Sequence, residues 1–174
     1  MRRQSLWRRL DAAARYAVPF GSIVAGLFLL GLNFGLPAQA QLRPVYAVAC
    51  VFFWSLYRPS SLPAPVVMVS GLLLDLLGFS PLGMWALLLL LLHGGVLALR
   101  RQLAPQGFLF TWLVFSGFAA GLFVLAWGVE SLLGLDVLPV RPVLTQSGFA
   151  VLLYPALAAF FIRAHRGAAA AELA

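Results

Sequence analysis

The sequence predicts an all-α fold, a polytopic transmembrane helix bundle of about six spans, and three observations carry that expectation. Of 174 residues, 63% are hydrophobic and 10% charged, and the mean hydropathy is +0.97. That leaves too little polar surface to cover a soluble globule. The apolar residues also cluster into runs near the roughly 20 residues that cross a hydrocarbon core. Finally, the twelve basic residues, all arginine, lie at the ends of those runs. There they set topology, so the net charge of +7 reads as membrane orientation and not as nucleic-acid binding. The single Cys50 sits inside an apolar run, has no partner for an intramolecular disulfide, and reads as a packing residue.

Residues 1–16, MRRQSLWRRLDAAARY, carry five of the arginines on a partly amphipathic segment. Leu6, Trp7 and Leu10 can rest on the headgroups of an anionic leaflet, so this segment is expected to be cytoplasmic. The membrane domain follows over 17–162. Its first span, 17–36, carries Gly31 and Gly35 one helical turn apart. The Ala38-Gln39-Ala40 stretch resembles a signal-peptidase site, but the run before it is longer than a signal h-region, which favours an uncleaved span.

The second run, 44–57, is marginally short, with Tyr46, Trp54 and Tyr57 at aromatic-belt positions and Arg43 and Arg58 able to reach outward. Charge decides whether it crosses. If it does, further spans fall at 62–79, 82–99, 107–129 and 143–162. All arginines except Arg43 and Arg141 then share the cytoplasmic side with both termini, including the short tail 163–174. If it does not, the arginines split evenly and carry no orientation signal. Six spans with both termini cytoplasmic is therefore the expectation.

The third span contains the chain's most informative stretch, SGLLLDLLGFSPLGMW, which sets Asp75 in an otherwise apolar run. Gly71, Asp75 and Gly78 share one helical face, offering side-chain-free patches to a neighbouring helix. Pro81 stops the helix, and residues 79–83 read as a tight turn into the next one. By helical rise, Asn33, Asp75, Thr145, Gln146 and Ser147 all fall within about one turn of the outer surface, as one expected polar layer. Asp75 then either glues helices together or meets a partner's helix or a small ligand. His93 lies about 10 Å deeper than Asp75 and reads as a neutral, hydrogen-bonded packing residue.

In the fifth span Gly117 and Gly121 form a GxxxG helix-contact face. The connection 130–142, with Leu132, Leu133, Leu135, Val137 and Leu138, is too apolar for a free loop and is expected on the membrane or under a partner. No constellation suited to catalysis, metal or cofactor binding is present: Asp75 stands alone among the intramembrane acids, and no nucleophile is paired with a base. An enzyme is therefore not expected.

The run GLLLDLLGFSPLG, following a short span that begins after an Arg-Pro, resembles MreD, the rod shape-determining membrane protein family of bacteria. The likeness extends to length, the Arg-rich N-terminus and about six spans. At the level of the motif it covers about 71–86, with Gly71, Asp75, Gly78, Pro81 and Gly83 standing where the family has them. The resemblance implies a non-enzymatic scaffold subunit of the cell-elongation machinery, acting in cell shape and lateral peptidoglycan synthesis. The implied partners are an MreC-type protein, MreB filaments, and RodA with its transpeptidase partner. That family is similar in fold to the substrate-binding S-components of ECF-type importers, which gives the alternative: a small-molecule binding subunit.

Overall fold

The computed structural model describes residues 19–32, 39–78 and 80–171, with side chains to 160. Asn33, the segment 1–16 and the last three residues of the tail lie outside the described residues. Within them the fold is all-helical: α1 (Pro19–Gly31), α2 (Gln39–Tyr57), a 3-10 turn (Pro59–Ser61), α3 (Ala64–Gly78), α4 (Met84–Leu103), α5 (Phe108–Gly134) and α6 (Arg141–Ala171). Three helices, α4, α5 and Arg141–Phe160 of α6, are long and apolar enough to cross a membrane. Their outward residues suit hydrocarbon and not water: Leu87, Leu91, Leu109, Leu113, Leu144 and Leu152 are each more than half exposed. This is a membrane protein.

The segment that hydropathy ranks as marginal is the centre of the molecule. α2 packs against α3, α4, α5 and α6, and every residue from Pro44 to Leu56 except Tyr46 is buried. A helix walled by protein need not match lipid, so its mean hydropathy understates its place. Phe52 anchors the packing: its ring meets Phe115 of α5 edge-on at 5.1 Å and Tyr154 of α6 at 5.7 Å, while Phe115 and Tyr154 stack at 4.1 Å.

α2 also begins five residues before the expected start at Pro44 and keeps that proline inside the helix. Pro44 cannot donate to the carbonyl a turn earlier. Side chains offset the weakened first turn by tying it to the end of α1. Gln39 Nε2 donates to the Leu30 and Leu32 carbonyls, and Arg43 Nε donates to Leu30 O at 3.2 Å.

Two further boundaries differ from the sequence expectation. α5 continues to Gly134, so half of the expected 130–142 loop is helix and only 135–140 connects α5 to α6. α6 continues to Ala171, through an alanine-rich stretch of high helix propensity that reads from sequence as a frayed tail.

Candidate functional site

The candidate site lies at the end of the bundle where α3 turns into α4, and Asp75 builds it. Asp75 is 1% exposed. Its Oδ2 accepts the Gly83 N–H at 2.8 Å, and its Oδ1 accepts the Trp85 N–H and the Ser80 hydroxyl, each at 3.0 Å. Gly83 and Trp85 are the N-cap and second residues of α4, so the carboxylate occupies the helix N-terminus and satisfies donors that no intrahelical carbonyl reaches. Gly83 has no side chain to cap with; Asp75 takes that part from the preceding helix.

Each neighbour in the motif has its own geometric cause. Gly83 adopts φ +92°, where a Cβ would be strained, and so permits the sharp approach into α4. The Pro81 carbonyl accepts the Met84 N–H at 3.1 Å and closes the turn. At Gly71 a Cβ would stand 2.3 Å from Ala86 Cα, so only glycine allows α3 and α4 this close. Gly78 is different: a Cβ there would meet only Ser80 Oγ, at 3.6 Å, an ordinary contact. The close face of α3 is therefore centred on Gly71.

The expected polar layer divides. Thr145 donates to Gln41 Oε1 at 2.6 Å, joining α6 to α2, whereas Asp75 is occupied by its own turn. Gln146 instead lines a cavity of about 310 Å³ beside the Asp75 turn, together with Arg43, Ser80, Trp85, Trp127 and Glu130. The loop after α5 roofs it: Trp127 Nε1 donates to Leu138 O at 2.9 Å, and Ser131 Oγ accepts the Leu138 N–H at 3.3 Å. Arg43 near the start of α2 and Glu130 near the end of α5 carry no periodic signal that would bring them together, and only the helix packing does so.

Arg43 does more than face outward. Besides Leu30 O it donates from Nη1 to Leu77 O at 2.6 Å, so one guanidinium holds the C-terminal carbonyls of both α1 and α3. Arg100 holds the C-terminal end of a single helix, donating from Nε to Leu56 O of α2 at 2.9 Å. His93 is 6% exposed and sits 2.7 Å, Nδ1 to Oγ, from the fully buried Ser55 of α2.

The glycines expected to hold helices together sort unevenly. Gly117 and Gly121 of α5 meet nothing within 4 Å. They form the floor of an open apolar groove bounded by Leu91, Leu92, Phe118 and Leu125. Gly31 is equally open, while Gly26, unremarked in the sequence, lies under the Tyr46 ring, whose hydroxyl donates to Ser22 O at 2.7 Å. No group of three or more His, Cys, Asp or Glu among the described residues is placed to hold a metal.

Compared with known proteins, the chain matches no family model, no curated protein and no solved structure.

Proposed function

We propose that this chain is an MreD-like scaffold subunit of the bacterial cell-elongation complex, a six-span protein of the inner membrane with both termini cytoplasmic. The observation that carries this reading is the GLLLDLLGFSPLG run, whose resemblance lies in residues with interlocking roles: Gly71 for helix approach, Asp75 and Gly83 for the α4 cap, Pro81 for the turn. Such a set is hard to assemble by chance from an apolar span. The connections between the described helices are short, so partners are met through helix faces. The open Gly117 and Gly121 groove suits the transmembrane helix of an MreC-type partner, since small residues let backbones approach where lipid supplies no hydrophobic drive. RodA with its transpeptidase, and MreB filaments on the cytoplasmic side, complete the proposed assembly. No catalytic step is assigned to the chain.

Deleting the protein from a rod-shaped host tests this reading. Cells are expected to round or swell with delocalised lateral wall synthesis and unchanged nutrient uptake. A rod-shaped deletion strain that loses uptake of one vitamin would instead favour the second reading, an S-component-like subunit of an ECF-type importer, for which the cavity at Gln146 is the favouring observation.

A further inference from the structure

The cavity beside the Asp75 turn is lined by three polar side chains that keep donors or acceptors unpaired. Arg43 spends Nε and Nη1 on the Leu30 and Leu77 carbonyls, and its Nη2 has no partner among the described residues. Glu130 and the Gln146 carboxamide likewise have no hydrogen bond or ion pair there, and Arg43 and Glu130 are not paired with each other. None of these atoms is buried without a partner, so each opens onto free volume. A cation and an anion held unpaired in one cavity oppose an occupant of either single charge and favour one that carries both. Trp85 and Trp127 add aromatic wall, which favours an ammonium. The volume, about 310 Å³, admits a headgroup-sized molecule and little more.

We propose that this cavity binds a small zwitterion of the phosphoethanolamine class, its oxyanion on Arg43 and Gln146 and its ammonium at Glu130 and the indoles. The guanidinium is suited to the phosphate, because its planar fork matches two oxygens at once. Phosphoethanolamine chemistry has two sources, the headgroup of phosphatidylethanolamine and the free soluble compound. The surroundings favour the lipid. Leu138 and Pro139 of the roof loop line the cavity, and Leu135 and Val137 of the same loop are 92% and 79% exposed, an apolar surface suited to acyl chains. The inference is separate from the elongation reading, and its test does not use cell shape.

The test is native mass spectrometry of the full-length protein released from mixed micelles of phosphatidylethanolamine, phosphatidylcholine and phosphatidylglycerol. The expected result is selective retention of phosphatidylethanolamine. Retention should fall about tenfold in Glu130→Gln and also fall in Gln146→Ala, because a charge-assisted contact is lost. Both variants should melt with the wild type, since neither side chain holds the fold. Arg43→Gln is a weaker probe because Arg43 also ties α1 and α3. Soluble O-phosphoethanolamine added in competition separates the sources: displacement of the lipid shows that the headgroup alone suffices, and retention against it shows that the membrane lipid is the ligand. Equal retention of the three lipids, or retention unaffected by both variants, would overturn the proposal.

Discussion

Asp75 illustrates how one residue's chemistry decides a local fold. A carboxylate buried among apolar side chains is stabilised here by two backbone N–H groups and a hydroxyl, all from residues five to ten positions later in the chain. Asp75→Ala orphans the Gly83 and Trp85 donors at about 1 to 3 kcal/mol each. Asp75→Asn retains one acceptor oxygen but turns an amide N–H₂ toward one of those donors. Thermal unfolding in detergent should therefore rank wild type above Asn and Asn above Ala, and an alanine variant as stable as wild type would remove Asp75 from its structural role. The sequence shows the acid, the proline and the glycine, but not that the acid turns inward. A face shared by Gly71, Asp75 and Gly78 fits a partner helix or the next helix of the same chain equally well, and only the turn geometry chooses the latter.

At the scale of elements, glycine spacing locates where helices can approach, and the packing determines where they do. Gly71→Ala drives a methyl group into the Ala86 backbone, which cannot yield without separating α3 from α4. Gly78→Ala meets only ordinary contact and gains helix propensity of roughly 1 kcal/mol. Folded yield by size-exclusion chromatography should collapse for the first and hold for the second; equal behaviour would mean that the close face lies elsewhere. Gly121→Leu projects into the open groove, so stability should hold while co-purification with an MreC-type partner is lost. Retained co-purification would move the partner surface off this groove. Helix starts from α3 to α6 were readable from hydropathy and punctuation to within two residues, whereas α4, α5 and α6 run on four, five and nine residues past their expected ends. The central place of α2 was not: its residues are covered by protein, and hydropathy measures fitness for lipid.

For the whole molecule, the arginine distribution remains the basis of orientation. Reporter fusions after Arg58, Arg101 and Arg166 are each expected to report cytoplasm, because that arrangement leaves only Arg43 and Arg141 outside. A periplasmic signal after Arg58 would mean that α2 does not cross or that the first span is cleaved. The cavity shows why sequence alone reached only part of the candidate site. Gln146 was readable by depth, whereas Arg43 looked like a residue reaching for water, and Glu130 like the start of a connection lying on the membrane or under a partner. Their meeting depends on α5 running on to Gly134 and on the arginine bending back to helix ends, neither of which is encoded in local pattern.

The ties also differ in how soon they can form as the chain emerges during synthesis. The Asp75 staple needs no residue beyond Trp85, so the turn from α3 into α4 is a local unit. Arg43 must wait 34 residues for its bond to Leu77, and Gln41 must wait 104 residues for Thr145. Until α6 arrives, α2 holds its polar first turn and its aromatic core side without their final cover. The innermost helix is thus made before α3, α4, α5 and α6, the helices that pack around it, and is enclosed only when the last of them is in place.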